Sequence, residues 1–329
     1  LKAYGGQLQP LAVAGVTPEG TPIIEWQTTA GEFADGTPYR LRKPTVRFEN
    51  LAYGPMPDEL MYSLRVANPV MGLGLLESVP TSTLLGLADA DDVDNDGISG
   101  RMNVVWNPVS ESEAPGRFGW KANVSTVQLQ SAGAALGDMG ITTPLNPVNN
   151  CPPAQMDCIK AMALHPDELE FRREFFDQLL RYIQLLAVPR QRGADTKSVR
   201  QGQALFYASG CVQCHMPTLI TGGNEEFPEL ANQTIHPFTD LLLHDMGEGL
   251  ADGRPDYRAG GSEWRTPPLW GLGLSETVTG HTTLLHDGRA RSVTEAILWH
   301  GGEAGAARER FRQLDEVNRE ALLAFLQSI

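Results

Sequence analysis

The sequence predicts a mainly α fold with small β elements: a loop-rich N-terminal region with β-hairpins over 1–192 and a compact helical domain over 193–329. Three observations predict it. Short apolar/polar alternations broken by Gly, Pro and Asp crowd the first 50 residues, a strongly periodic stretch in mid-chain stops at Pro189, and two more helical patterns occur in the C-terminal part.

Thr21-Pro22-Ile23-Ile24-Glu25-Trp26 and Tyr39-Arg40-Leu41-Arg42 read as strands of hairpins. Residues 51–150 mix short helices with Gly/Pro/Asn loops. Between Asp167 and Val188, Leu169, Phe171, Phe175, Phe176, Leu179, Leu180, Ile183 and Leu186 give an amphipathic helix. It ends there because the residue before Pro189 is pushed out of the helical region. Arg190 to Asp195 is a linker. Ser198 to Ala208 (Val199, Ala204, Leu205, Phe206) is a second helix and Asn318 to Ile329 a closing one, with Asn318 as its N-cap.

The 329 residues suggest two or more domains, and a hydrophobic fraction of 41% is enough for real cores. No apolar run approaches the length of a membrane span. A formal charge of −14 argues against nucleic acid and favours a small substrate or a basic redox partner. The chain starts at Leu1 without a visible signal peptide, which reads as a processed or truncated product.

Cys211-Val212-Gln213-Cys214-His215 is the c-type haem attachment pattern. Each thiol can form a thioether to a haem vinyl group, and His215 is then brought under the ring as proximal iron ligand. A redox C-x-x-C pair would want a βαβ context, and a zinc site a second Cys/His pair at metal spacing. The domain around the motif is therefore cytochrome c-like, with long loops because haem supplies its core. For the second axial ligand, spacing leaves His236, His244, Met246, His281, His286 and His300 open, while Met216 is too close to Cys214 to cross the ring. The remaining cysteines, Cys151 and Cys158, bracket Pro152-Pro153 and read as a local disulfide, which fits the periplasm; two free thiols are the alternative.

Asp89-Ala90-Asp91-Asp92-Val93-Asp94-Asn95-Asp96-Gly97-Ile98-Ser99-Gly100 contains the opening half of a calcium loop. Asp92, Asp94 and Asp96 are alternate carboxylates, Gly97 makes the turn, and Ile98 offers a carbonyl oxygen. The usual closing Glu is Asn103 here. A solvated acidic turn is the other reading.

Trp264-Arg265-Thr266-Pro267-Pro268-Leu269-Trp270, with Leu284-Leu285-His286-Asp287-Gly288-Arg289 and Ser292-Val293-Thr294-Glu295-Ala296, resembles the C-terminal haem domain of bacterial di-haem cytochrome c peroxidases. A closer resemblance, over nearly the whole chain, is to their relatives the di-haem oxidoreductases, often labelled thiol oxidoreductases. It is carried by Tyr4-Gly5-Gly6-Gln7-Leu8-Gln9, Gly72-Leu73-Gly74-Leu75-Leu76-Glu77, Gly116-Arg117-Phe118-Gly119-Trp120-Lys121-Ala122, Leu243-His244-Asp245-Met246-Gly247 and Trp299-His300-Gly301-Gly302-Glu303-Ala304.

The resemblance implies a distal ligand fourteen positions after His286, which is His300; Met246 ranks next and His244 third, and Arg265 joins the haem-binding set. It also implies that Trp120 bridges two haems and that Gln130, ten residues on, faces a peroxide pocket with Asp138, although the Gln-to-acid interval is two residues shorter than in the peroxidases. Aligning Trp120–Val127 with His286–Val293 sets His300 opposite Ala134, which cannot bind iron, so the second haem would be open to peroxide. The family carries another C-x-x-C-H ahead of its Tyr-Gly-Gly-Gln stretch, so a second haem domain is an expected partner. Two functions follow: a periplasmic peroxidase-like oxidoreductase holding covalent haem c and Ca2+ and using a redox protein or an oxidant such as peroxide, or a non-catalytic electron-transfer cytochrome c.

Overall fold

The computed structural model describes residues 1–164 and 169–329. Within them, short helices alternate with two-stranded sheets, so the mainly α architecture with small β elements holds. The chain divides into two interleaved units. The first is Leu1–Gln27, Lys43–Met61 and Gln128–Tyr182; the second is Thr28–Arg42, Tyr62–Val127 and Ile183–Ile329.

In the first unit the Val127–Met139 helix, from Gln128 on, buries the small side chains Ala132 and Ala135, so neighbouring chain comes close to its backbone. Asn146 donates to Ala132 O (2.9 Å) and Gln9 to Gly137 O (2.7 Å). Cys151 and Cys158 form a disulfide with a Cα–Cα distance of 5.7 Å.

The second unit is centred on the pairing of the Lys197–Ala208 helix with the Glu316–Ser328 helix. Val199 and Phe206 from one, and Leu322, Phe325 and Leu326 from the other, are buried together with Phe238, Leu298 and Phe311. Each such side chain contributes about 1.5–3 kcal/mol by leaving water. The close approach depends on Gly202, where a Cβ would lie 1.9 Å from Ala321 O. The Thr21–Glu32 and Pro38–Glu49 strands pair as a hairpin, and its turn end belongs to this unit, setting Phe33 edge-on to Phe311 at 5.9 Å.

Two helix limits differ from the sequence reading. The mid-chain helix runs Arg173–Leu185, not from Asp167, which lies outside the described residues, to Val188. Glu170 and Phe171 are instead bonded to Thr142, which takes them out of the helical path. The closing helix is capped by Asp315, whose carboxylate accepts Asn318 N at 2.9 Å, so Asn318 sits inside the first turn.

Candidate functional site

The Lys197–Ala208 helix stops at Ser209, and Gly210 takes a left-handed φ of 79° that turns the chain into the short 3-10 helix Cys211–Gln213. His215 follows, its N bonded to Cys211 O at 2.9 Å. Burial pushes the Cys211 thiol up to about 12. It also raises the Cys214 thiol, opposed by a hydrogen bond with His244. His215 Nδ1 is 2.9 Å from Phe238 O, and burial lowers the ring's pKa to about 4. Phe238 and Leu241 have positive φ (54° and 63°), a costly conformation for bulky residues and one that clusters at functional sites.

His300 caps the C-terminus of the Val293–Trp299 helix. Its Nδ1 is 2.7 Å from Ala296 O, and burial again lowers the pKa. The His215 and His300 rings are 6.5 Å apart, centroid to centroid, tilted by 41°. A metal bound about 2 Å from one nitrogen of each of two imidazoles sets their centroids roughly 6 Å apart. Both rings use Nδ1 on a backbone carbonyl, which fixes their orientation and leaves Nε2 for a metal. Beside them lie the buried Phe206, Phe238, Leu298 and Phe325, with Leu269, Leu272, Val293, Ile297 and Cys211 packed against them. Two thiols, two neutral half-buried imidazoles close to one another and an apolar wall fit a covalently held haem.

The other ligand candidates stand differently. Met246 is the half-buried N-cap of the Gly247–Leu250 helix and lines a cavity of about 690 Å³ with Trp299, Gly301 and Arg308. His236 and His281 are exposed and bonded to threonines. His244 has both ring nitrogens engaged: Nε2 with Asp240 Oδ2 at 2.8 Å and Nδ1 with Glu303 Oε2 at 2.7 Å. Burial would lower its pKa, but the hydrogen bonds to Asp240, Cys214 and Glu303 outweigh it and push it up to about 12, so the ring is an imidazolium. Sequence reasoning missed both carboxylates: Glu303 meets the histidine from 59 residues away, and Asp240, only four residues before it, is no more conspicuous in the sequence than any other acidic residue.

Trp120 donates Nε1–H to Val66 O (2.7 Å) and stands edge-on to His286 at 6.5 Å. Trp264 stacks on His286 at 3.6 Å, and Lys121 Nζ lies 4.5 Å from the Trp264 ring centroid. Arg265 is buried, donates to Gly119 O and Thr266 O, and has its pKa lowered to about 10 by burial. Gln130 and Asp138 belong to the first unit and Trp120 to the second. Gln130 Oε1 is buried with no hydrogen-bond partner among the described residues, and Asp138 accepts from Gln7 at 2.9 Å.

In the acidic loop, Asp89, Asp92 and Asp94 offer carboxylate oxygens within 4.8 Å of one another. Asp96 is turned elsewhere, accepting from Ile98 N (2.9 Å) and from Gln213 Nε2 (2.7 Å), which ties the loop to the attachment turn. Ile98 is half-buried beside it. Asn103 is fully buried and donates to Lys121 O and Asp256 O.

A family model described as "Di-haem oxidoreductase, putative peroxidase" matches residues 32–329. No curated protein matches the chain. Among solved structures, the chain is similar to hydrazine synthase of Kuenenia stuttgartiensis, at 18% identity over 85% of this chain and 96% of that one, with a TM-score of 0.32. It is also similar to a MauG-like protein associated with microbial copper homeostasis, at 16% identity over 83% of this chain and 94% of that one, with a TM-score of 0.37.

Proposed function

The chain belongs to the di-haem oxidoreductase family, and from that premise we propose that it is a periplasmic c-type haem oxidoreductase of peroxidase type, whose Cys211/Cys214 haem passes electrons toward a second haem. The observation that carries this reading is the facing pair His215/His300, 6.5 Å apart with each Nδ1 tethered to a carbonyl. Bound there, haem supplies reversible one-electron chemistry. The chain's residues do the rest. Cys211 and Cys214 would hold the porphyrin covalently, His215 and His300 would ligate its iron, and Arg265 would provide buried positive charge for the haem carboxylates. Trp120 would carry electrons between the two haem sites. At a second haem site, Gln130 and Asp138 would supply a hydrogen bond and a proton to the peroxide.

Overall, peroxide takes up two electrons and two protons and leaves as two waters. The donor is a redox protein with a basic face, suited to a surface of formal charge −14. The acidic loop would hold calcium, and the disulfide suits an oxidising compartment.

The test is peroxide consumption by the haem-loaded full-length protein supplied with a reduced donor. Turnover that falls at least about tenfold in Gln130→Ala or Asp138→Asn supports the proposal. Reversible electron exchange without peroxide consumption assigns the protein as an electron-transfer cytochrome, a reading favoured by the His215/His300 pair, which would close both faces of the haem.

A further inference from the structure

The cavity of about 690 Å³ beside Met246 has no part in the haem reading. Its described lining residues all belong to the second unit and do not include Cys211, Cys214, His215 or His300. Small-molecule sites have roughly this volume, 300–1,000 Å³, and are mostly apolar with a few polar groups. Tyr39, Leu41, Met246, Leu298 and Trp299 supply apolar wall here. Trp299 is fixed, since the guanidinium of buried Arg289 lies 4.5 Å from its ring centroid and is itself held by Asp287. Four charged side chains also line the cavity, and two of them cancel: Arg312 bonds both oxygens of Glu309 at 2.8 Å and donates its third nitrogen to Glu32 O. Of the other two, Glu248 is exposed, whereas Arg308 is half-buried and has no hydrogen bond or ion pair among the described residues. Arg308 also follows the first turn of the Gly305–Gln313 helix, which has neither a side-chain cap nor an acidic residue, so its positive charge meets nothing there to offset it. Gly305 is the second oddity. A Cβ on Gly247 would stand 2.9 Å from Gly302 N, so packing demands that glycine, but a Cβ on Gly305 would meet nothing within 4 Å. Glycine is a poor helix former, and at Gly305 it leaves the cavity wall open.

We propose that this cavity binds a small aromatic carboxylate, its ring against the apolar walls and its carboxylate on Arg308. The site goes beyond the haem reading and does not depend on it. A guanidinium takes a carboxylate through two parallel hydrogen bonds, which would give Arg308 the partner it lacks. The same negative charge is favoured at the start of a helix. A neutral occupant would leave the guanidinium unpaired, and a cation would be repelled by it. Trp299 and Tyr39 offer ring faces and edges for stacked or edge-on contact, which an aliphatic acid would forgo.

The test is calorimetric titration of the haem-loaded full-length chain with benzoate, with benzamide as its neutral counterpart and benzylammonium as a cation of similar size. Benzoate should bind in the low millimolar range or tighter, as the usual affinity per atom of a small ligand implies. Benzamide should bind at least about tenfold more weakly, because a hydrogen bond to a charged group is lost. In Arg308→Gln the advantage of benzoate over benzamide should disappear, whereas a merely structural role for Arg308 would weaken both equally. Gly305→Leu should abolish benzoate binding by filling the cavity, and an unaltered haem spectrum reports that this variant folds; should it not fold, Arg308→Gln still decides. No binding of benzoate, equal affinity for benzoate and benzamide, or equal weakening of both by Arg308→Gln overturns the proposal. So does tighter binding of benzylammonium, which exposed Glu248 would favour, or full benzoate binding by folded Gly305→Leu.

Discussion

Replacing Lys121 by Met is expected to destabilise the chain by about 3 kcal/mol. The Lys121 side chain is 0% exposed, and Nζ donates to Asp252 Oδ1 (2.9 Å), Arg254 O (2.8 Å) and Gly260 O (2.7 Å). Burial lowers the ammonium's pKa, and the hydrogen bond to Asp252 opposes that. Met keeps the apolar stem over Trp264 but leaves Asp252, itself 6% exposed, as a buried carboxylate. Removing one member of a buried ion pair costs about 3–5 kcal/mol. Arg65 still faces Asp252 at 3.8 Å and holds the cost to the lower end. For a chain of this size, about 1 kcal/mol moves Tm by roughly 2–3 °C, so the midpoint should fall by about 6–9 °C in thermal unfolding followed by circular dichroism at pH 7. Adding Asp252→Asn should recover at least about 1.5 kcal/mol, because no unpaired charge then remains buried. A Lys121→Met midpoint within about 2 °C of the unaltered chain, or a double variant as unstable as the two single costs added, would refute the reasoning.

Two further outcomes follow from the same geometry. Burial holds His286 at a pKa of about 4, below the ordinary 6.5, so the unfolded chain binds a proton that the folded chain refuses and stability should fall as pH drops from 6.5 toward 4. The loss is up to about 3 kcal/mol, and His286→Phe, which keeps a ring against Trp264, should flatten that part of the acid-unfolding curve; an unchanged slope would sink the assignment. For the acidic loop, a chelator should lower Tm and added calcium restore it, by an amount equivalent to about 2.7 kcal/mol at a hundredfold excess over Kd, with Asp94→Ala abolishing the difference. Identical melting curves with and without chelator remove calcium from the account.

What the sequence made legible was local. The attachment motif, the hairpin strands and the helix before Cys211 all depend on spacing within a dozen residues. The His215/His300 proximity came from a family interval rather than from any pattern in the chain. Three features were beyond reach. Lys121 looks like a surface residue, since lysine is seldom fully buried, and only the fold brings Asp252 to it. His244 gives no hint of Glu303, which reaches it from 59 residues away, and without that second carboxylate the nearby Asp240 does not by itself mark an imidazolium. In the acidic loop, alternation of carboxylates suggested Asp96 as a ligand, yet positive φ at Asp92 (48°) and Asn95 (60°) curls the chain so that Asp89 joins Asp92 and Asp94 while Asp96 bonds Gln213. Interleaved units such as these also leave no composition break along the chain for a linear reading to find.

Axial ligation is read most directly from the optical and electron paramagnetic resonance spectra of the haem-loaded chain and two variants, His300→Gly and Met246→Leu. The unaltered chain should be low-spin without a sulfur-to-iron charge-transfer band, and its potential should lie below that of a His/Met haem. Met246→Leu should leave the spectrum intact, whereas His300→Gly should become high-spin and bind added imidazole. A high-spin haem in Met246→Leu together with an unchanged spectrum in His300→Gly would contradict the His215/His300 assignment.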